Sequence, residues 1–309
     1  MPTSVELAAM RRAIIISASG LGATSPNPAV GCVILDAEGR TVGEGYHLRK
    51  GAAHAEVNAL AAAGSRAAGG TAVVTLEPCN HEGLTPACHQ ALLDAKIARV
   101  LIAVMDPTSR GEGGAARLRQ AGVDVHTHVL ETEALTVLGP WHASLSGQRP
   151  VLHLLIQTDA AGFTLAPAAE ALGEVERQRP AHDLVISIDG SAEEGRAASH
   201  GRAFSVPASP VPDEPGDAVA ALTEAGARTV LLVGPSELTK QLLTAAMVDR
   251  FTLVQPVPGP SQAPPSAPAL FPDGFVLSQV TRAGGQLIVS AERRPTHGRL
   301  HDGEQPGAV

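Results

Sequence analysis

Two of the chain's three cysteines, Cys79 and Cys88, fall in "TLEPCNHEGLTPACHQAL" (75–92) with eight residues between them. Upstream, "HAEV" places Glu56 two positions after His54. Thiolate and imidazole are donors that zinc favours, and a catalytic zinc takes three protein ligands while its fourth position stays open. His54, Cys79 and Cys88 would make such a set, and Glu56 would bring a carboxylate able to move protons beside it. Each piece alone has an ordinary reading. His-x-Glu is common on surface helices, and two cysteines can be buried as small apolar residues. Their occurrence together, in this order, favours a metal site. Cys32, inside "VGCVIL" (30–35), has no polar neighbour in sequence and reads as core.

The elements around these residues suit that role. His54 and Glu56 open a helix over 54–64, and Cys88 lies in the first turn of a helix over 85–95. Cys79 follows a short buried strand over 70–77. A helix N-terminus stabilises the thiolate that binds metal. Before them, Thr3 and Glu6 form a capping box for a helix that Gly20 ends, and 30–35 and 40–46 form a β-hairpin. After them come a strand over 98–104, a helix over 115–122 and a strand over 123–129. The order α-β-β-α-β-α-β-α-β implies a three-layer α/β domain ending near "LSGQRP" (145–150). Further on, 151–157 and 183–189 read as strands, and 218–257 as helix, strand, helix, strand. Proline-rich stretches over 205–217 and 258–269 read as loops.

Composition narrows the class. A chain of 309 residues exceeds one ordinary core and predicts two domains. With 44% hydrophobic and 17% charged residues it is globular, and the net charge of −8 without a basic stripe argues against a nucleic-acid partner. Three cysteines do not make a disulfide framework, and there is no signal-like or membrane-spanning run, so a cytoplasmic protein without a membrane partner is expected.

Four stretches carry a family resemblance: "SPNPAVGCVI" (25–34), "GEGYHLRKGAAHAEVNAL" (43–60), "TLEPCNHEGLTPACHQAL" and "DPTSRGEGGAARLRQAGVDV" (106–125). Together they resemble the deaminase half of the bifunctional deaminase–reductase family of riboflavin biosynthesis. Its Pro-Cys-x-His-x-Gly-x-Thr-Pro-x-Cys pattern carries the wide cysteine spacing, which differs from the two-residue spacing general in zinc nucleobase deaminases. The resemblance implies a cytidine-deaminase-like fold, Zn2+ on His54, Cys79 and Cys88, and Glu56 as the proton shuttle of a hydrolytic deamination. It further implies substrate contacts from Asn27, His47, His81 and Asp106. On their own, Pro26-Asn27-Pro28 is a turn, His47 an exposed histidine, and His81 and Asp106 loop residues. The implied substrate is an amino-substituted heterocycle, in that pathway an aminopyrimidine carrying a ribosyl phosphate.

The sequence also departs from the family. Leu84 stands where the family usually has Lys or Arg, and Asp106-Pro107-Thr108 replaces Asp-Pro-Asn. Leucine cannot neutralise a phosphate, so a replacement cation is expected from Arg49 or Lys50 in the neighbouring loop. The second half is similar to a dihydrofolate-reductase-like domain, shortened, with Gly234-Pro235 in place of Glu-Gly-Gly. It is therefore expected not to bind NADPH. The expected organisation is a zinc-dependent deaminase domain over 1–146, a degenerate reductase-like domain over 151–292 and a disordered tail over 293–309, in a homo-oligomer, a dimer. Two alternatives stay open: a complete NADPH-using bifunctional enzyme, and a non-catalytic scaffold or regulatory paralogue.

Overall fold

The computed structural model describes residues 1–80, 87–109, 111–159, 164–165, 169–197, 205–208, 210–257 and 272–294. His81, Leu84 and the tail from residue 295 lie outside these. The strands form two sheets, one from segments up to residue 126 and one from segments after residue 150.

The first region opens with α1 (Ser4–Ser17), capped as the Thr3–Glu6 spacing predicts. Thr3 Oγ1 accepts from Glu6 N at 3.2 Å, and Glu6 Oε2 accepts from Thr3 N at 2.7 Å. The α-helix stops at Ser17, and a 3-10 turn carries the chain to Gly20. Then follow β1 (Gly31–Leu35), β2 (Thr41–Tyr46), α2 (Ala55–Ala63), β3 (Thr71–Leu76), α3 (Cys88–Asp94), β4 (Arg99–Val104), α4 (Gly113–Gln120), β5 (Asp124–His126) and α5 (Glu131–Gly147). The sheet order is β2-β1-β3-β4-β5, antiparallel through β1 and parallel from β3 to β5.

Alternation along β1 and β2 places the helices on opposite faces. Gly31 pairs with Tyr46 on one face, and Cys32 pairs with Gly45 on the other. A Cβ on Gly31 would lie 2.1 Å from Ala13 O of α1, and one on Gly45 would lie 2.4 Å from Ala59 N of α2. Backbone therefore meets backbone on both sides of this edge, and α1 and α2 sandwich the sheet. The strands between them are almost wholly buried, as central strands covered on both faces must be.

The second region comprises β6 (Val151–Thr158), β7 (Thr164–Leu165), α6 (Ala169–Gln178), β8 (Leu184–Ile186), β9 (Ala192–Glu194), α7 (Pro215–Glu224), β10 (Thr229–Val233), α8 (Glu237–Thr244), β11 (Arg250–Pro256), β12 (Phe275–Ala283) and β13 (Gln286–Arg293). Its sheet runs β12-β13-β11-β6-β10-β8-β9, with β7 beside β6. The central strands β11, β6, β10 and β8 are parallel. Helix α5, absent from the sequence-based order, packs on β4 of the first sheet and on β6 and β10 of the second. It joins the two sheets. No helix among the described residues is long and apolar enough to cross a membrane.

Candidate metal centre and active site

Three sequence-distant ligand atoms converge. One ring nitrogen of His54 and the sulfurs of Cys79 and Cys88 all lie within 4.8 Å of one another. His54 is the N-cap of α2, yet its side chain makes no capping hydrogen bond. Instead Nδ1 faces the thiols, 3.2 Å from Cys88 Sγ and 3.7 Å from Cys79 Sγ. Cys88 is the first residue of α3, and its backbone N–H donates to Cys79 Sγ at 3.2 Å. The main chain of the same turn holds Cys79 from behind, His89 N donating to Cys79 O at 3.3 Å. The soft donor set, its closeness and its position at two helix N-termini all fit a zinc ion.

The protonation pattern suits metal capture. Cys79 is driven toward the thiolate by hydrogen bonding from Cys88, aided by His54 and the Cys88 backbone N–H. Its proton-donor role toward Cys79 holds the Cys88 thiol up, and burial and the nearby Glu56 charge add to this. Hydrogen bonding to Cys79 holds His54 above the ordinary histidine value, against burial. A cation replacing the shared protons would relieve all three groups together. Glu56, in the first turn of α2 and 3% exposed, is pushed up to about 6 by burial, only partly offset by its own backbone N–H and by His54. That range suits a group that accepts a proton and returns it near neutral pH. The same charge reaches Cys32, which is buried in the core as its sequence context predicts. Burial first, and then Glu56, hold its thiol up, and it remains a core residue facing α2.

A cavity of about 310 Å³ opens onto this cluster. His54, Glu56 and Cys79 line it together with Asn27, His47 and Asp106. His47 is 3% exposed, so the expectation of an exposed histidine fails. Its Nδ1 lies 3.2 Å from Ala53 O, which makes Nδ1 the donor and leaves Nε2 as an acceptor. Nε2 is buried and has no hydrogen-bond partner among the described residues. Burial holds this ring below the usual histidine value, and the His54 charge lowers it further. Asn27 is fixed through its backbone, N to Thr24 O at 2.9 Å, and its side-chain amide bonds to no described residue. Asp106 has less freedom, because its Oδ1 accepts from Thr108 N at 2.8 Å and Thr108 Oγ1 at 2.7 Å. His81 lies outside the described residues.

Three lining residues escaped the sequence reading. Glu77 is 5% exposed and ties the 106–115 loop beneath the cysteines, accepting from Ser109 Oγ at 2.9 Å and Ala115 N at 3.0 Å. Its place two residues before Cys79 was the available signal. Trp141 of α5 walls the cavity and donates from Nε1 to Pro26 O at 3.2 Å. It is the only tryptophan of the chain. Arg228, immediately before β10, reaches the cavity from the second region, whereas Arg49 and Lys50 are not in its lining. No local pattern announces Arg228.

Comparison with known proteins agrees with this site. Residues 4–104 match the family model of the cytidine and deoxycytidylate deaminase zinc-binding region. The diaminohydroxyphosphoribosylamino-pyrimidine deaminase of Buchnera aphidicola subsp. Acyrthosiphon pisum is 49% identical over 126 residues, 40% of this chain and 85% of that one. The riboflavin biosynthesis protein RibD of Escherichia coli is 51% identical over 126 residues, 40% of this chain and 34% of that one. The chain thus spans about a third of that relative, and half of the RibD of Aquifex aeolicus, where coverage is 50%. The deaminase/reductase structure from Thermotoga maritima superposes with a TM-score of 0.76 at 20% identity, covering 94% of this chain and 99% of that one. That likeness concerns the fold, and it runs through both sheets.

Proposed function

Since this chain belongs to the deaminase family of riboflavin biosynthesis, we propose that it is a zinc-dependent hydrolytic deaminase of a small amino-substituted heterocycle, of the aminopyrimidine type. One observation carries the reading: a His-Cys-Cys donor set within 4.8 Å, with the buried Glu56 beside it at the same cavity. His54, Cys79 and Cys88 would hold the metal. Zinc there supplies Lewis acidity, which makes water a usable nucleophile near neutral pH.

The chain's own groups do the rest. Glu56 accepts a proton from the attacking water and delivers protons to the ring nitrogen and the departing ammonia. Its raised pKa keeps the two directions of transfer close in energy. The Asn27 amide offers both a donor and an acceptor to the ring edge, and His47 Nε2 accepts from a ring or exocyclic N–H. Trp141 covers one side and limits water entry. Cytoplasmic location and homodimer assembly belong to this proposal as well. The test is a panel of aminopyrimidines and aminopurines assayed for ammonia release by zinc-loaded protein. Release from an aminopyrimidine is expected, and silence across the panel despite full zinc would favour a scaffold role.

A second reading is favoured by the superposition through both sheets. It holds that the second region still reduces the deaminated product with NADPH. NADPH oxidation on adding that product would establish it, and no NADPH-dependent thermal shift would remove it.

A further inference from the structure

The proposed reaction leaves a charge problem. Among the described residues that line the cavity there are three carboxylates, Glu56, Glu77 and Asp106, and Arg228 is the sole lysine or arginine. An anionic substrate needs a cation there, and the first region supplies none from its described wall.

Arg228 is built to be that cation. Its main chain is clamped on both sides, N donating to Asp183 Oδ2 at 2.8 Å and O accepting from Val151 N at 2.8 Å. Asp183, whose charge acts on Arg228, accepts with Oδ2 from further donors, Thr229 N at 2.9 Å and Thr229 Oγ1 at 3.2 Å. The guanidinium of Arg228 forms no ion pair with a described residue, and its Nε is buried without a hydrogen-bond partner. The other arginines at this seam are engaged, Arg149 with Asp249 at 2.7 Å and Arg250 with Glu292 at 3.3 Å. Burial pulls the Arg228 pKa down, opposed by the Asp183 charge, which marks the cost of leaving it unpaired. A second cavity, between α5 and the second sheet, shares Asn27, Trp141 and Arg228 with the first. Arg228 thus stands where the heterocycle pocket passes into the seam between the two regions.

We propose that Arg228 binds the anionic, phosphate-bearing end of the substrate, so that the second region completes the specificity of the deaminase pocket. This rests on the aminohydrolase reading above. The guanidinium fork matches phosphate oxygens, and the Nε left without an acceptor gains one when the phosphate arrives. It also gives the second region a role in deamination that is independent of any nucleotide cofactor.

The experiment pairs a kinetic and a binding measurement on the full-length, zinc-loaded protein. Ammonia release from the phosphoribosyl diaminopyrimidine and from its dephosphorylated form is compared in wild type, R228Q and R228K. In R228Q the KM for the phosphorylated compound should rise about 10- to 100-fold with kcat little changed, and R228K should recover part of the loss. The preference for the phosphorylated compound should fall at least about tenfold. Ribose 5-phosphate binding is measured in parallel by calorimetry, and R228Q should weaken it by a similar factor. If R228Q and R228K match wild type in both preference and ribose 5-phosphate affinity, the assignment is overturned while the aminohydrolase stands. If ammonia is never released, yet ribose 5-phosphate binding depends on Arg228, the anion site stands and the reaction assigned to it fails.

Discussion

The two sheets use buried polar groups in opposite ways. In the first region they converge on one point and leave valences open. The thiols and imidazole of Cys79, Cys88 and His54 share protons, His47 Nε2 lacks a partner, and Glu56 is buried with its pKa raised. In the second region two polar clusters, one around His153 and His182 and one around Asp249, satisfy their own members. His153 bonds His182 at 3.1 Å and Thr252 at 2.8 Å, and His182 turns its other nitrogen to Gln178 O at 2.8 Å. Asp249 takes a bidentate Arg149, both contacts at 2.7 Å, and also Leu152 N at 2.8 Å. Buried polar groups are costly when unpaired, so an unpaired convergent set points to a ligand and a paired one to scaffolding. Thr158 Oγ1, Arg179 Nε, Arg228 Nε and Gln286 Nε2 also lack hydrogen-bond partners among the described residues, and of these four residues only Arg228 lines the cavity of the first region.

The largest effect should come from taking one donor out of the convergent set. Cys88→Ser is expected to abolish stoichiometric zinc, measured by atomic absorption, and to reduce ammonia release below detection. Added zinc should then raise the Tm of wild type but not of C88S. Equal zinc content in the two proteins would break the contrast.

A smaller effect should follow from disturbing what holds the set in place. A Cβ on Gly114 would lie 1.9 Å from Pro78 O, the residue before Cys79. Gly114→Ala must therefore shift the loop that carries a ligand, and activity should drop up to about 100-fold, the scale of an ångström misplacement. The same probe in the second region, away from Arg228, should leave turnover alone.

The smallest effect is on stability and sharpens the other side of the comparison. Burial holds His153 well below the ordinary histidine value, and the His182 charge adds to this. Burial also lowers His182, against the Gln178 carbonyl and Asp183. Both fold as neutral rings, so only the unfolded chain takes up protons as pH falls below about 6.5. Their contribution is full above that pH and is lost below it, at up to about 1.4 kcal/mol per pH unit for each ring. Denaturant unfolding at pH 7.5 and 5.5 should show this loss, and it should shrink in the H153N/H182N double variant. An unchanged pH dependence there would mean that the pair is not buried neutral.

The convergence of His54, Cys79 and Cys88 was legible in the sequence because its signal is local. His54 and Glu56 share one turn, and the cysteines flank one loop. The same holds for α1, whose capping box lies within four residues. The residues that enclose the site were not legible, because they arrive through tertiary contact. Trp141 sits on α5, a helix that was not assigned from sequence and that runs through Gly139 and Pro140, residues that disfavour helix. Arg228 comes from a strand start far along the chain. The hairpin of β12 and β13 had its own signal in Gly284 and Gly285, both at positive φ. Burial could not betray β12, since all its residues after Phe275 are exposed.

The central claim is that a zinc held by His54, Cys79 and Cys88 serves a hydrolysis whose protons move through Glu56. Zinc content and ammonia release from the phosphoribosyl diaminopyrimidine, measured side by side in wild type and E56Q, test it most directly. Both proteins should carry about one zinc per chain, and E56Q should lose about 10²- to 10⁴-fold in kcat. E56Q turning over within a few-fold of wild type, at equal zinc, would contradict the account.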